Sequence, residues 1–539
     1  MRLAVLAVAL VVAAPAARAQ DGACTDGTAT LGGVSYPCDR VDILANVGPL
    51  GADGPFRSNA LNDIWGWTDP DTGGEYALVG TRSGVVFVDV SVPEAPRVLG
   101  RMPSTDIDAG NVSAWRDIKV YQDHAFVVAD AMPQPHGMQV FDLTRLRGLA
   151  ADPQRDFGPD AVYEPVFDAH NLVINEATGF AYAVGGDPTP GLGLPPECSV
   201  KGFHAINVQD PQHPTFAGCF SDVANETGPR TPGYTHDAQC VLYSGPDADY
   251  AGREICFGAN EDVVSTLDVT DKGAVRLVSQ ALYPSASYTH QGWLSEDQRY
   301  FYTNDELDER NGLVPTQRTI VLDVSDLDAP DVAFIYDSGI TSIDHNLYTH
   351  RGLMWQANYE AGLRILDPAG TEAGTLSEVA FFDAYPARTT INDVCPPPNP
   401  NGALCASFNG LWSVYPFFES GVVVASGIDN GLFVLRPDAD LRADTAAPPP
   451  AGPAILSAPV PNPTRDGARL TLTVDAAQPV TAALYDTLGR RVATLFDGPA
   501  APDAPIVLTV DGSGLPSGVY VVRARGASFD LSQSLTLAR

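Results

Sequence analysis

Seven copies of one short motif recur along this chain, about 50 to 70 residues apart, and this spacing limits the folds available to it. In four copies, at 169–172, 235–238, 289–292 and 344–347, a histidine precedes a carboxamide or carboxylate residue at the start of an apolar run. In the other three copies a different residue takes the histidine position, at 62–65, 116–119 and 409–412. Repeats of this period are typical of propellers and solenoids.

Each copy opens a unit of short β-branched runs separated by Gly and Pro, which is typical of strands and turns. In the first unit these runs are 76–80 and 84–91, and the second run ends in Asp-Val-Ser. Four strands per unit in seven units predict a seven-bladed β-propeller over residues 39–437. The last unit has three visible strands, and the unassigned run 41–47 is expected to supply the fourth.

The N-terminal end of the chain predicts export. Residues 1–19 combine Arg2, an apolar run and a small-x-small cleavage site, which is the pattern of a secretory signal peptide. An N-terminal segment, 20–38, follows it. No other stretch is apolar and long enough to cross a bilayer, so we expect no transmembrane segment in the mature chain.

The C-terminal end predicts a second domain. Residues 438–454 form a Pro/Ala-rich linker, which is a stiff spacer. Beyond the linker, apolar and polar residues alternate with the period of β-strands over 455–539. The predicted fold class is therefore all-β, a seven-bladed β-propeller followed by a small C-terminal β-sandwich.

Charge and cysteine content restrict the partners and the compartment. The formal net charge is −34, which makes nucleic acids and anionic lipids poor partners. Eight cysteines in an exported chain predict disulfides rather than zinc ligation, because no Cys-x-x-Cys pair is present. Pairing neighbours in sequence gives Cys24–Cys38, Cys198–Cys219, Cys240–Cys256 and Cys395–Cys405.

The C-terminal region resembles a known export domain. Pro461-Asn462-Pro463, 484–486 with 488–490, and 515–520 occur in the order found in type A C-terminal sorting domains of the type IX secretion system. The resemblance implies the type IX secretion machinery as a partner. It also implies a protein that is secreted or held at the outer-membrane cell surface.

The repeat region resembles the choice-of-anchor B proteins built from LVIVD-type repeats. The residues that carry this resemblance are 84–91, 252–256 with 260–262, and 305–308 after Tyr302. The resemblance implies a propeller body behind a variable anchor. It implies no activity, so the function has to be argued from the residues themselves.

Aligning the seven copies places one residue of each around the predicted propeller axis, because the innermost strands of a propeller run in the same direction. These residues are Asn62, Arg116, His170, His236, His290, His345 and Asn409. The next layer and the loops expected on the same face are rich in acidic residues. We therefore predict a polar channel mouth that binds a ligand through Arg116, Asp117, Asp237, Glu261, Asp305, Glu306 and Glu360.

Three interpretations of the aligned histidines remain open. His170, His236, His290 and His345 can meet at one divalent transition metal, with Asp305 or Glu306 completing the shell. They can instead plug the channel through hydrogen bonds, or Arg116 can form an anion pocket. Calcium is less favoured, because the oxygen-rich loops 69–75 and 305–309 lack EF-hand spacing.

Covalent catalysis has little support, because the chain has no Gly-x-Ser-x-Gly elbow and no phosphate-binding glycine loop. We therefore expect a secreted or surface propeller that binds an unknown extracellular ligand or partner at the channel mouth, without catalysis of its own. The alternative is a metal-dependent hydrolase or oxidase, in which an open metal position activates water or polarises a carbonyl.

Overall fold

The computed structural model describes residues 21–48, 50, 60–149, 155–221, 233–386 and 408–442 of the repeat region. In the C-terminal region it describes residues 454–456, 459, 462, 464–465, 467–474, 478–486, 490–501, 506–526 and 530–538. The predicted signal peptide and the predicted Cys395–Cys405 pair lie outside the described residues. So do Pro461, Pro463 and most of the predicted linker.

The chain is all-β, as predicted, and consists of small sheets in which almost all strands pair antiparallel. It divides into two compact units, residues 1–445 and 446–539. The described residues contain one short α-helix, α1, at Ala439–Arg442. Short 3-10 helices lie at Ile107–Ala109, Leu143–Leu146, Pro196–Val200 and Thr371–Ala373.

The strands of the first unit follow the predicted repeats, and we number them in chain order. Before the first repeat lie β1 Thr28–Leu31, β2 Val34–Asp39 and β3 Val41–Val47. The first three repeats contain β4 Leu61–Thr68, β5 Glu75–Thr81, β6 Gly84–Asp89, β7 Arg97–Pro103, β8 Arg116–Tyr121, β9 His124–Ala129, β10 Met138–Asp142, β11 Arg155–Asp156, β12 Ala161–Tyr163, β13 Val166–Asp168, β14 Asn171–Asn175, β15 Phe180–Val184, β16 Asp187–Pro188, β17 Phe203–Asn207 and β18 Thr215–Phe220.

The remaining repeats have the same arrangement. Their strands are β19 Asp237–Leu242, β20 Glu254–Ala259, β21 Val264–Asp268, β22 Arg276–Ala281, β23 Thr289–Leu294, β24 Tyr300–Asp305, β25 Arg318–Asp323, β26 Asp331–Asp337, β27 Asn346–His350, β28 Leu353–Ala357, β29 Leu363–Asp367, β30 Ser377–Phe382, β31 Leu411–Tyr415, β32 Val423–Gly427 and β33 Gly431–Pro437.

Each repeat forms its own antiparallel sheet of four strands, some with added edge strands. Strand β3 pairs with β33 and is the outer strand of the last sheet, so the two ends of the repeat region meet in one sheet. The hairpin β1–β2 covers most of the predicted N-terminal segment 20–38. It is part of the repeat region, because β2 pairs with β30 and extends the sheet of β27–β30. Three disulfides form as predicted: Cys24–Cys38, Cys198–Cys219 and Cys240–Cys256.

The first strands of the seven sheets contact one another in series. The series runs β4, β8, β14, β19, β23, β27 and β31, and β31 contacts β4 again. All seven motif copies lie at or just before the starts of these strands. Residues far apart in sequence are therefore brought together around one centre.

Successive sheets pack through the apolar side chains of their middle strands. Strands β5, β6 and β24 are buried along their full length. Phe87 stacks on Phe141 with ring centroids 4.6 Å apart, and Phe257 stacks on Phe301 at 5.1 Å. Burying each such side chain contributes about 1.5–3 kcal/mol, so the sheets are held together face to face.

In the strands of the second unit, buried and more exposed residues alternate, as in strand β35, Gly467–Val474, where every other residue is buried. Its strands are β34 Ala454–Leu456, β35 Gly467–Val474, β36 Gln478–Asp486, β37 Arg491–Ala500, β38 Ile506–Asp511, β39 Gly518–Arg525 and β40 Asp530–Leu537. They form two sheets, of three and four strands. The buried residues of both sheets share one hydrophobic core.

The acidic loop 69–75, considered above as a calcium-binding loop, is held in place by the side chain of Arg147. The buried carboxylate of Asp69 accepts hydrogen bonds from Nε and Nη2 of Arg147, at 2.8 and 2.6 Å. It also accepts from the Thr72 hydroxyl at 2.6 Å and from the Asp71 backbone N at 3.0 Å. The carboxylate of Asp69 is thus occupied by hydrogen-bond donors from the protein.

We expect Asp69→Asn to destabilise the first unit modestly. Burial opposes ionisation of Asp69, but the hydrogen bonds from Arg147 and Thr72 outweigh it and lower its pKa to about 2. The stabilisation is therefore present above pH 4 and is lost as the pH falls toward 2. Because Arg147 is 30% exposed, we expect about 1 kcal/mol at pH 7. Urea denaturation at pH 7 and pH 2.5 checks this, and an equal difference at both values would contradict it.

Candidate functional site

The four predicted histidines lie side by side at the starts of four consecutive inner strands. His170, His236 and His345 immediately precede β14, β19 and β27, and His290 is the second residue of β23. The ring centroids are 4.3 Å apart for His170–His236, 4.3 Å for His236–His290 and 4.2 Å for His290–His345. The four imidazoles therefore form one continuous arc, which we call the histidine arc.

Local backbone geometry positions His290. The register between β23 and β24 shifts between Thr289 and Gly292, so His290 and Gln291 occupy a β-bulge. A Cβ atom at position 292 would lie 2.4 Å from the Phe301 ring, so only glycine allows this close approach.

Each histidine of the arc uses Nδ1 to donate a hydrogen bond to an oxygen. His236 donates to the His290 carbonyl at 2.8 Å, and His290 donates to the His345 carbonyl at 3.1 Å. His345 donates to the Trp412 carbonyl at 2.5 Å, and His170 contacts the Asp130 carboxylate at 2.7 Å. A carbonyl oxygen can only accept, so in each neutral ring the proton is on Nδ1 and the lone pair is on Nε2.

Glu306 lies near the Nε2 atoms of two histidines of the arc, His290 and His345. Its carboxylate oxygens are 3.9 Å from Nε2 of His290 and 3.8 Å from Nε2 of His345. The potential ligand atoms of these three residues all lie within 4.8 Å of one another. Tyr359 donates a hydrogen bond from its hydroxyl to Glu306 Oε1 at 2.6 Å, which holds this carboxylate in place.

Burial controls the charge of the arc. It lowers the pKa of His345 to about 3, and it lowers the pKa values of His236 and His290 well below the ordinary histidine value. Burial also opposes charging of His170, but the hydrogen bond and charge of Asp130 outweigh it and raise the His170 pKa. Desolvation raises the pKa of Glu306 to about 7.

Two other groups of metal-binding residue types occur among the described residues. Cys198 and Cys219 lie near His204, but their sulfurs are joined in a disulfide and are not thiolates. Asp247, Asp326 and Asp328 form a largely exposed acidic group. Neither group has the buried, oriented imidazoles of the histidine arc.

Arg116 does not take part in the channel mouth, contrary to the sequence alignment. Its side chain is 2% exposed and donates to the Thr81 carbonyl at 3.1 Å and to the Ser104 hydroxyl at 2.5 Å. Its Nη1 lies 3.0 Å from Nε2 of His136. Its guanidinium is bonded to these groups inside the protein, whereas the anion pocket predicted from the sequence required it at the channel mouth.

Asp117 is also used inside the protein. One oxygen accepts from the Leu172 backbone N at 2.6 Å, and the other lies 2.5 Å from Lys119 Nζ. Lys119 also lies 3.6 Å from Asp63 Oδ2. This group of one ammonium and two carboxylates, which we call the Lys119 cluster, was not predicted, and it gives Asp117 a structural role.

The remaining predicted ligand residues differ in their surroundings. Asp305 is fully buried and accepts from the backbone N atoms of Ser287 and Tyr288 at 2.6 and 2.7 Å, so it is a structural carboxylate. Of the two carboxylates expected to complete a metal shell, only Glu306 therefore faces the histidines. Asp237 lines a separate cavity, Glu261 pairs through its backbone with Thr289, and Glu360 is 7% exposed.

Comparison with known proteins identifies no family. No family model and no curated protein matches the chain. Among solved structures, a protein from Lactobacillus plantarum matches with a TM-score of 0.40 and 11% identity, covering 84% of this chain and 100% of that protein. The computationally designed Ika8 protein matches with a TM-score of 0.36 and 10% identity, covering 78% of this chain and 94% of the design. In the described part of the chain, no helix has the length and hydropathy needed to span a membrane.

Proposed function

We propose that residues 39–437 form a seven-bladed β-propeller whose axis carries a binding site for a divalent transition metal. The seven four-stranded sheets, the serial contacts of their first strands and the pairing of β3 with β33 support the propeller. The metal would be held by Nε2 of His290 and Nε2 of His345 together with Glu306, and the imidazoles of His236 and His170 continue the arc beside them. Imidazole and carboxylate ligands suit zinc, copper, iron or nickel.

The observation that carries this proposal is the common orientation of the four imidazoles. Metal-binding histidines almost always donate from their second ring nitrogen to a carbonyl or carboxylate, which fixes the tautomer and the ring. All four histidines of the arc do so, and His170 does so to a carboxylate.

The alternative in which the histidines plug the channel predicts a different pattern. In such a plug the histidines hydrogen-bond to each other, to the amides of the next layer and to trapped water. Among the described residues, no ring nitrogen of the arc bonds to another ring nitrogen, although adjacent rings are about 4 Å apart. Neighbouring imidazoles therefore do not use the Nε2 lone pairs of the arc, which supports the metal proposal over a plug made of ring-to-ring bonds alone.

We also propose that the protein acts outside the cell. Three disulfides within the first unit suit an oxidising compartment. The N-terminal signal-peptide pattern and the likeness of residues 455–539 to a type IX sorting domain support secretion or surface display. On this proposal, the ligand expected at the channel mouth is the metal ion itself.

Metal binding is tested by stoichiometry and affinity. We expect the mature protein, stripped with a chelator and titrated with zinc in a calorimeter, to bind one ion per chain. A His290→Ala/His345→Ala variant is expected to lose at least about 100-fold in affinity, since two ligands are removed. His213→Ala is the matched control, because His213 is an exposed histidine paired only with Asp210. Folded wild-type protein that binds none of zinc, copper, nickel and iron(II) would overturn the proposal.

Asp130→Asn tests the orientation of His170 separately. An amide side chain can donate at the position where the carboxylate accepts, so the Nδ1–H of His170 loses a charged partner. We expect a loss of about 10- to 100-fold in zinc affinity with an unchanged fold. Asp210→Asn, which removes the equivalent partner of exposed His213, should leave the affinity unchanged. Equal affinity of Asp130→Asn and wild type would show that His170 is not a ligand.

A further inference from the structure

A second cavity lies further along the same inner strands. Its volume is about 340 Å³, it opens to solvent, and its walls come from β4, β8, β14, β19, β23 and β27. The histidine arc lies at the starts of these strands, whereas the cavity is lined mainly by residues further along them. The cavity reaches back to Asp237, the first residue of β19, but none of the four histidines lines it. The cavity is therefore separate from the proposed metal site.

One wall of the cavity is aromatic. Trp65, Trp293 and Tyr348 come from three different inner strands and line it together. Trp293 packs edge-on against Tyr348 with centroids 5.1 Å apart, and Trp65 does so at 6.0 Å. Edge-on packing holds the rings rigidly, so the wall presents a preformed apolar surface.

The cavity is also lined by polar groups with unused hydrogen-bonding capacity. Asn175 accepts from the Ala177 backbone N at 3.1 Å, and its Nδ2 is buried without an acceptor among the described residues. Asp237 accepts from the Ala238 backbone N through Oδ1 at 2.7 Å, which leaves Oδ2 available. Gln239 accepts from the Leu294 backbone N at 2.8 Å, which leaves its amide N–H groups available. A buried polar atom without a partner is unfavourable, so Asn175 Nδ2 indicates a polar ligand, and Asp237 and Gln239 line the same cavity.

The charges in the cavity narrow the ligand class. An anion would meet Asp237 in a protein of net charge −34, which disfavours phosphates and carboxylates. An organic cation would compete with Lys119, whose ammonium already lies 4.6 Å from the centroid of the Trp65 ring. A purely apolar ligand would leave Asn175 and Asp237 unsatisfied. A neutral ligand with one apolar face and several hydroxyl groups satisfies all of these conditions.

We infer that this cavity binds a neutral saccharide unit, with a C–H face of the sugar on Trp293 and its hydroxyl groups on Asp237, Asn175 and Gln239. A cavity of this size, with an aromatic wall and a few converging polar groups, is typical of a small-molecule site. Vicinal hydroxyls both donate and accept, which matches a carboxylate oxygen beside amide N–H groups.

The inference is tested with a panel of methyl glycosides of glucose, galactose, mannose and N-acetylglucosamine, titrated into the mature protein. We expect saturable binding of at least one glycoside, measured by saturation-transfer NMR, with a dissociation constant on the order of 1 mM. Trp293→Ala and Asp237→Asn are each expected to weaken that binding at least 10-fold. Trp115→Leu is the control, since Trp115 is 41% exposed and does not line the cavity.

Three results would overturn the inference. The first is no saturable binding of any glycoside by folded wild-type protein. The second is binding of tetramethylammonium without any glycoside binding, which would assign the cavity to cations. The third is glycoside binding that Trp293→Ala and Asp237→Asn leave unchanged while both variants keep the wild-type circular dichroism spectrum, because the sugar would then bind elsewhere.

Discussion

Replacing Lys119 with methionine is expected to lower the free energy of unfolding of the first unit by about 3–5 kcal/mol. The Lys119 ammonium lies 2.5 Å from Asp117 Oδ1 and 3.6 Å from Asp63 Oδ2, and both carboxylates are almost fully buried. Methionine retains an unbranched apolar side chain but removes the ammonium, which also lies 4.6 Å from the centroid of the Trp65 ring. The buried Asp117 carboxylate would then lack its counter-ion, which is among the most unfavourable changes a single substitution can make.

The measurement is urea denaturation followed by tryptophan fluorescence. All six tryptophans lie in the first unit, so the signal reports that unit alone. The matched control is Asp63→Asn/Asp117→Asn/Lys119→Met, which removes all three charges while retaining similar shapes. Because no uncompensated charge remains, this triple variant is expected to be more stable than Lys119→Met. If the free energy of unfolding of Lys119→Met is within about 1 kcal/mol of the wild-type value, the ion pairs of the Lys119 cluster contribute little to stability.

The pH dependence of this variant has a defined sign. Burial opposes ionisation of Asp117, but the charge of Lys119 and the hydrogen bonds that Asp117 accepts outweigh it and lower its pKa, so removing Lys119 raises that pKa. A carboxyl group whose pKa is higher in the folded state destabilises the fold above that pKa and ceases to do so below its ordinary value of about 4. The penalty of Lys119→Met is therefore expected to shrink as the pH falls from 7 toward 4. A penalty that is independent of pH would point to lost packing instead.

The convergence of the histidines was predictable from sequence, because it depends on the repeat alone. His170, His236, His290 and His345 occupy equivalent positions of four copies, and contacts between consecutive first strands bring equivalent positions together. The pairing of 41–47 with the last sheet was predictable for a similar reason, since the last unit lacked one strand. Both predictions depend on the order of the strands and do not depend on side-chain conformations.

The surroundings of the histidines were not predictable in this way. The alignment placed Arg116 with the histidines, but a long side chain can turn away from its backbone position, and its guanidinium lies between Thr81 and Ser104. Glu306 and Asp305 are adjacent in sequence, yet only Glu306 faces the arc. Periodicity specifies which residues start a strand. Side-chain rotamers and loop conformations decide which of those residues form ion pairs or contact the same ligand.

Zinc is expected to stabilise the first unit if the histidine arc binds it. A ligand that binds only the folded state raises the free energy of unfolding by about 4 kcal/mol at 1,000 times its dissociation constant. All nine histidines of the chain lie in the first unit, so tryptophan fluorescence in urea reports the relevant transition. We expect the urea midpoint of wild type to rise with zinc and that of His290→Ala/His345→Ala to rise by no more than about a third as much, because its affinity is at least about 100-fold weaker.

The informative quantity is the increment caused by zinc in each variant, not the stability of the metal-free protein. His290 and His345 are both almost fully buried, so replacing them weakens packing whether they bind metal or plug the channel. Only a metal site makes stability depend on zinc concentration and makes that dependence shrink when the two imidazoles are removed. His213→Ala should keep the full increment, because this exposed histidine lies outside the arc. An equal zinc increment in wild type and the double variant would place any bound zinc elsewhere and leave the arc with a purely structural role.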